Sequence, residues 1–197
     1  MLDTIAENQP DRRPAILVCV YETADPLWNA LDSDTDWAPP GARLRPLGPG
    51  EPAVLADRIN CELDEADCSA VLLVGRTRKS DGFRVQMRAE NRALTGGKKL
   101  SETGPSLARA TAPVAEMVRA LNDAGLSADA TSDSEDDAGS YLLYRVLTSL
   151  QDDVDAPAVG LLRAPSTVDE AQLRLGIQTA ATAMARHLSP LPRTRLG

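Results

Sequence analysis

The fold is decided by the run PAILVCVY at residues 14–21, near the start of this 197-residue chain. The run has the length of a strand and contains no charged side chain. An uninterrupted apolar strand is covered on both faces, as the strands of a parallel sheet are. The run therefore predicts a central parallel strand. Two similar runs predict further buried strands, SAVLLV at 69–74, closed by Gly75, and AVGLL at 158–162.

Strand and helix patterns alternate along the rest of the chain. Weaker strands are predicted at Ala42–Leu47, where Pro46 indicates a sheet edge, at Phe83–Ala89 and at Leu126–Ala130. Helices are predicted from Asp25 to Leu31, over Pro52–Glu65, within Ser101–Ala124 with Gly125 as C-cap, from about Ala138 to Leu150, and in a long last helix that starts with Thr167 and Glu170 as a capping box. This alternation predicts a single three-layer α/β domain, with a mostly parallel or mixed twisted sheet and helices on both faces.

The two ends of the chain lack this periodicity. Residues 1–13 are polar and are predicted to form a mobile N-terminal arm, and residues 190–197 a C-terminal tail that frays. The α/β domain is therefore expected to span residues 14–189.

Composition argues against several classes of function. A formal net charge of −8 repels phosphate backbones, and an aromatic content of 3% leaves few side chains for base stacking, so no nucleic-acid partner is expected. No apolar run has the length that spans a bilayer and no signal peptide is recognisable, which predicts a cytoplasmic protein without a membrane partner. The three cysteines are an odd number without metal-ligand spacing, so neither a disulfide framework, a metal site nor a cofactor is expected.

Charge is unevenly distributed along the sequence. Residues 76–109 contain nine basic side chains against the three acidic ones Asp81, Glu90 and Glu102. This segment could bind a small anion or an acidic partner at the carboxyl ends of the strands. It could equally be a solvated face that compensates the acidic remainder, since no glycine-rich phosphate loop accompanies it.

The acidic stretch TSDSEDDAGSYLLY at 131–144 runs directly into a helical pattern. The alternating carboxylates of this stretch are similar to the start of a calcium-binding loop. Such a loop would need a glycine at the position of Ala138 and a carboxylate at the position of Tyr144, so calcium binding is not predicted. Asp136 and Asp137 are instead expected to interact with the positive end of the helix dipole. The single histidine, His187, lies near the end of the last helix, where a cation complements the dipole, and no nucleophile–histidine pair can be assembled.

Several segments together resemble one family. They are the strand Ala70–Gly75 with Arg76, the positions Ala89 and Asn91, the helix end LNDAGL at 121–126, the run DAGSYL at 137–142, and the strand VGLL at 159–162 followed by Pro165. These segments resemble the pyroglutamyl peptidase I family of cytosolic cysteine exopeptidases. The resemblance implies a phosphorylase/hydrolase-like version of the predicted fold, and it allows for homo-oligomers, dimers or tetramers.

The resemblance also assigns the family's catalytic positions, and none of them carries the family's residue. The nucleophilic cysteine falls on Leu143, the histidine base on Arg163 and the supporting glutamate on Gln86. Leucine cannot attack a carbonyl, arginine stays protonated, and glutamine carries no charge. The loop after the first strand, Tyr21–Pro26, lacks the family's paired phenylalanines.

These positions define a vestigial pocket without catalytic residues. Its expected members are Tyr21, Arg76, Gln86, Asp136, Asp137, Gly139, Ser140, Leu143 and Arg163. Arg163 should point to the helix start, where Glu135, Asp136 and Asp137 gather, and pair with a carboxylate there.

Two functions stay open at this point. The chain is expected to be a binding or assembly module without cysteine peptidase activity, with an unknown small anionic ligand or protein as its partner. The alternative is a hydrolase, an exopeptidase for pyroglutamyl or other N-terminal residues, that has moved its chemistry to groups such as Ser140 or Tyr141. Whether the chain is an enzyme is thus undecided from the sequence, and for Ser140 a base is missing.

Overall fold

The computed structural model describes residues 15–21, 31, 38, 41–48, 50–65, 68–94, 98–150 and 156–188. The predicted arm at 1–13, the tail at 190–197 and all of the helix predicted from Asp25 except Leu31 lie outside the described residues. Leu31 itself is helical and buried.

A six-stranded sheet forms the middle layer. Its strands are β1 (Ile16–Val20), β2 (Ala42–Pro46), β3 (Ala70–Thr77), β4 (Phe83–Gln86), β7 (Ala128–Thr131) and β8 (Ala158–Pro165). Their order is β2-β1-β3-β8-β4-β7. Every neighbouring pair is parallel except β4 and β8, which are antiparallel. Two short strands, β5 (Arg88–Glu90) and β6 (Leu107–Arg109), form a separate antiparallel ribbon.

Four described helices cover the two faces of the sheet. They are α1 (Pro52–Glu65), α2 (Val114–Asp123), α3 (Ala138–Ser149) and α4 (Glu170–Leu188). Alternate residues of β1 enter opposite cores, Ile16, Val18 and Val20 on one face and Leu17, Cys19 and Tyr21 on the other. The first core includes α2 and α4 residues, and the second includes α1 and α3 residues. The predicted three-layer α/β domain with a mostly parallel, mixed sheet is thus confirmed.

The prediction that Gly75 closes the third strand is wrong. The ladder between β3 and β8 continues through Gly75↔Arg163 to Thr77↔Pro165, so both strands extend three residues beyond their predicted ends. The sequence does not predict this extension because its residues have polar side chains. Burying a polar side chain costs free energy unless it has a hydrogen-bond partner, and the sequence does not show such partners. The extension brings Arg163 and Thr77 to the carboxyl ends of the central strands.

The single strand predicted over Phe83–Ala89 is divided into two. Met87 donates its N–H to the carbonyl of Thr131 in the main sheet and accepts from the N–H of Ala110 on the other side. The chain therefore leaves the six-stranded sheet at Met87 and enters the ribbon with β6. The alternating pattern continues through this change of partner, which is why the sequence reads as one strand.

Two predicted helix ends also shift. At α4 the capping box is formed by Asp169 and Gln172, whose side chains each accept from the other's backbone N–H at 2.8 and 3.2 Å, and not by Thr167 and Glu170. At α2 the C-cap is Ala124, and Gly125 follows it with φ 80°. In the part of the chain that the structure describes, no helix is long and apolar enough to cross a membrane.

Candidate functional site

The candidate site lies where the carboxyl ends of β3, β4 and β8 meet the start of α3. Its centre is Arg163 on β8, the largest fully buried side chain of the described residues. Gln86 ends β4, and Asp137 is the N-cap of α3. The parallel alignment of β3 with β8 and the crossing to antiparallel β4 therefore bring together residues that are 26 to 77 positions apart in the sequence.

Arg163 is held by hydrogen bonds from every nitrogen of its guanidinium group. Nη1 and Nη2 donate to the two carboxylate oxygens of Asp137, the second at 2.8 Å. Nε donates to Oε1 of Gln86 at 3.3 Å, and Nη2 also donates to Oγ of Ser140 at 2.9 Å. Nη1 further donates to the carbonyl of Arg76 at 3.3 Å. The predicted pairing of Arg163 with the helix start is confirmed, and the partner is Asp137.

A second carboxylate, that of Glu135, belongs to the same group of side chains. We call this group the Arg163 cluster; it consists of Arg163, Asp137, Gln86, Ser140, Glu135, Thr77 and Arg84. Glu135 accepts from Oγ1 of Thr77 at 2.6 Å and lies 3.5 Å from Nη1 of Arg84 and 3.9 Å from Nε of Arg163. Two guanidinium groups therefore balance two carboxylates. The side chain of Arg163 is fully buried, those of Arg84 and Glu135 are mostly buried, and that of Asp137 is partly exposed. Charges buried to this extent need a partner of opposite sign, which is hydrogen-bonded for Arg163 and Asp137 and an ion pair at 3.5 Å for Arg84 and Glu135.

Arg163 stays protonated in this setting. Burial by itself lowers the pKa of Arg163, but Tyr21 and the carboxylates of Asp137 and Glu135 outweigh burial and raise that pKa above its ordinary value. Arg163 therefore donates hydrogen bonds only and cannot take up a proton.

Ser140 is also committed to the cluster. Its hydroxyl oxygen accepts from Nη2 of Arg163 and, at 3.2 Å, from the backbone N–H of Glu135. Its own N–H donates to Oδ1 of Asp137 at 3.0 Å, so Asp137 caps α3 while it binds Arg163. A general base would have to accept the hydroxyl proton of Ser140, and the side chain that contacts this hydroxyl is a cation.

Neither Leu143 nor a cysteine supplies a nucleophile here. Leu143 is fully buried in the apolar core that α1 and α3 share. Cys19 lies in the same core, where burial, followed by the charges of Glu62 and Cys68, raises the pKa of its thiol from 9.0 to about 12. Cys68 precedes β3 and so lies at the end of that strand opposite to the cluster.

Tyr21 closes the site from the side of β1. A Cβ atom added at Gly75 would lie 2.0 Å from Cζ of Tyr21, and one added at Gly139 would lie 2.0 Å from the Tyr21 hydroxyl and 3.2 Å from Nη2 of Arg163. Only glycine fits at either place, because the Tyr21 ring occupies that space. The cavity left beside Asp137 has a volume of about 10 Å³, which is room for about one water molecule.

The acidic segment 131–137 lies against the basic segment that the sequence singled out. Asp136 is exposed and pairs with Arg92 at 3.0 Å, so it does not join the buried cluster. Arg84 also lies 3.8 Å from Asp133, and Arg88 and Lys79 donate to backbone carbonyls of the acidic segment. These pairs agree with the interpretation that the basic segment compensates acidic residues. The sequence does not show which acidic residues these are, since the two segments are about 45 residues apart and are brought together by strand pairing such as that of β4 with β7.

The single histidine does not belong to the Arg163 cluster. His187 at the end of α4 pairs with Glu116 of α2, with 2.7 Å between Nδ1 and Oε2. Among the described residues, no group of three or more His, Cys, Asp or Glu side chains is arranged to hold a metal ion.

Comparison with known proteins identifies the fold. No protein-family model and no curated protein sequence matches the chain. Solved structures do match it. Pyroglutamyl peptidase I from Bacillus amyloliquefaciens aligns with a TM-score of 0.73 and 14% sequence identity, over 88% of this chain and 98% of that one. Pyrrolidone carboxyl peptidase from Thermococcus litoralis aligns with a TM-score of 0.74 and 16% identity, over 89% and 94%.

A mutant pyrrolidone carboxyl peptidase from Pyrococcus furiosus agrees with these two, at a TM-score of 0.72 and 15% identity over 88% of this chain and 99% of that one. The likeness thus extends over nearly the whole length of each peptidase. At identities this low it shows the architecture and not the activity. The chain has the fold of pyroglutamyl peptidase I.

Proposed function

We propose that this protein is a non-catalytic relative of the pyroglutamyl peptidases that acts as a binding or assembly module. The observation that carries the proposal is the buried Arg163–Asp137 pair, which stands where the resemblance places the catalytic base. A fixed cation at that position cannot accept a proton from a nucleophile. In this reading, ion pairing has replaced acid–base chemistry at the carboxyl ends of the strands.

The two other assigned positions support the same reading. Leu143 has no nucleophilic atom and packs in the core. Gln86 accepts from Arg163 and donates through Nε2 to the carbonyls of Arg88 and Asp133, so its amide serves as a link between strands. A triad that lacks all of its members loses most of its rate advantage.

The alternative, a hydrolase with a relocated site, has less support. Ser140 would be its nucleophile, and the groups bound to the Ser140 hydroxyl are a guanidinium and a backbone N–H, both of them donors. A substrate would also need space, and the cavity beside Ser140 holds about 10 Å³. No described contact of Ser140 therefore favours this candidate.

A protein partner suits the charges better than a small anion does. Arg84, Arg92 and Arg163 are each already paired with a carboxylate of the acidic segment, which removes them from an anion site. We place the protein in the cytoplasm, without nucleic-acid or membrane partners, and the net charge of −8 supports the first of these exclusions. Self-association into homo-oligomers is compatible with a role in assembly.

The proposal predicts that the purified protein does not release the fluorophore from a pyroglutamyl-linked fluorogenic substrate above the rate of a protein-free blank. Pyrrolidone carboxyl peptidase from Thermococcus litoralis, assayed in parallel, is the positive control. The triple variant Leu143→Cys, Arg163→His, Gln86→Glu is expected to be inactive as well, because Tyr21 and Asp137 still fill the site. Turnover by the unmodified protein would contradict the proposal, and turnover by the triple variant alone would show that a pocket survives.

A further inference from the structure

The outer edge of β6 takes no part in the candidate site described above. In the ribbon, Asn91 N–H donates to Ser106 and Ala110 N–H donates to Met87. Because hydrogen-bonded and non-hydrogen-bonded pairs alternate in an antiparallel ladder, Leu107 and Arg109 direct their backbone N–H and C=O groups away from β5. Within the described part of the chain these four groups have no hydrogen-bond partner. They form a short open strand edge.

A groove runs beside this edge. It has a volume of about 330 Å³ and lies between β6, the end of α3 and the start of β8. Its lining includes the apolar residues Ala108, Leu147, Leu150 and Val159. Leu107 also borders the groove, but because side chains alternate along a strand its side chain lies on the opposite face of β6, with Arg109, where it is 43% exposed. An open edge next to an apolar groove is the arrangement that binds an extended peptide as an added strand.

The two arginines at this edge, Arg88 and Arg109, favour an acidic partner. Arg88 and Arg109 are paired directly across the ribbon, and like charges in that position repel each other. Among the described residues neither arginine has a carboxylate partner. Glu90 lies on the same face of the ribbon, opposite Leu107, so the two arginines leave this face with one positive charge in excess. An acidic side chain beside Arg109 on an incoming strand would relieve the repulsion, so the edge complements an acidic segment.

We propose that β6 binds an acidic, extended segment of a partner protein by adding it to the ribbon as a third strand. Side chains alternate along such a strand. The partner residue opposite Ala108 would point with Ala108 toward the groove and should be apolar, and the residue opposite Arg109 would point to the arginine pair and should be acidic. The site shares no residue with the Arg163 cluster. A lack of activity toward pyroglutamyl substrates would therefore neither support nor contradict the binding of a peptide at β6.

A labelled peptide tests the proposal by fluorescence polarisation. The probe Thr-Glu-Val-Glu-Thr has the same order of side chains in both directions, so it fits a parallel or an antiparallel addition. We expect saturable binding that weakens as salt is added. Thr-Lys-Val-Lys-Thr, with reversed charge, and Thr-Glu-Ser-Glu-Thr, without the apolar residue, are expected to bind at least about tenfold more weakly.

Variants of the full chain separate the backbone from the side chains. Leu107→Pro removes one outward N–H without breaking the β5–β6 ladder and is expected to weaken binding about tenfold or more, while Leu107→Ala keeps that N–H and should change it less than about threefold. Arg109→Glu is likewise expected to weaken binding about tenfold or more, and Arg119→Glu at an exposed position of α2 is its matched control. Each variant is first checked for an unchanged circular-dichroism spectrum.

Three outcomes would overturn the proposal. They are absence of binding to the unmodified protein, binding that folded Leu107→Pro and Arg109→Glu variants retain, and equal binding of the lysine peptide. The chain itself contains an acidic–apolar–acidic run at residues 153–155. If the probe binds only after Asp153→Asn and Asp155→Asn, then this run competes for the edge and an external partner is not its occupant.

Discussion

Replacing Arg163 with methionine is expected to lower the free energy of unfolding by about 3–5 kcal/mol. Methionine removes the cation that faces the mostly buried carboxylate of Glu135 and the partly exposed carboxylate of Asp137. It also removes the donor to Oε1 of Gln86 and one of the two donors to the hydroxyl of Ser140. Urea unfolding followed by circular dichroism measures the loss.

The matched control is Arg92→Met, which breaks an ion pair of the same acidic segment on the surface. The side chains of Arg92 and Asp136 are 51% and 66% exposed, so this change should cost less than about 1 kcal/mol. Adding Asp137→Asn to Arg163→Met should restore part of the stability, since asparagine keeps the helix cap and removes one unpaired charge. Equal losses for Arg163→Met and Arg92→Met would show that the buried cluster does not hold the site together.

Gly139→Ala is expected to destabilise the protein by about 3 kcal/mol, although alanine is the better residue in an exposed helix by about 1 kcal/mol. The new methyl group would lie 2.0 Å from the Tyr21 hydroxyl. The same end of the Tyr21 ring also lies against Gly75, where an added Cβ atom would be 2.0 Å from Cζ, so the ring has little space to move. Thermal and urea unfolding of the single variant give the sign and size of the effect.

A double-mutant cycle with Tyr21→Ala isolates this contact. In the Tyr21→Ala background the space is free, so Gly139→Ala should be neutral or slightly stabilising, which corresponds to a coupling free energy of about 3 kcal/mol. The same loss in both backgrounds would show that Tyr21 does not fill the site.

The central strands could be predicted because their signal is local. β1 and the first parts of β3 and β8 are uninterrupted apolar runs, and any strand of that composition needs cover on both faces. Their last residues could not be predicted, because Thr77 and Arg163 are acceptable in the interior only with partners from other segments. The sequence also does not predict that the strand changes its partner at Met87, because this change depends on hydrogen bonds with the distant residues Thr131 and Ala110.

The candidate site was predictable to a similar extent. The family resemblance placed Arg163 near the start of α3, and the need of a buried guanidinium for a carboxylate predicted a partner there. Which of Glu135, Asp136 and Asp137 pairs with Arg163 depends on the residue at which α3 begins. Asp137 is the N-cap and points inward, whereas Asp136 faces solvent and Arg92. Thr77 and Arg84, which complete the cluster around Glu135, carry no signal in the sequence, because their roles arise only from the strand order.

If the Arg163 cluster and Tyr21 close the site, a small ligand cannot bind there, and a titration measures whether it does. Isotope-labelled protein is titrated with a pyroglutamyl dipeptide to millimolar concentration while the amide resonances of Gly139 and Ser140 are followed by NMR. We expect no saturable change at either amide, because the cavity beside Ser140 has a volume of about 10 Å³ and the Tyr21 ring fills the space next to Gly139. Saturable shifts at both amides would contradict this expectation.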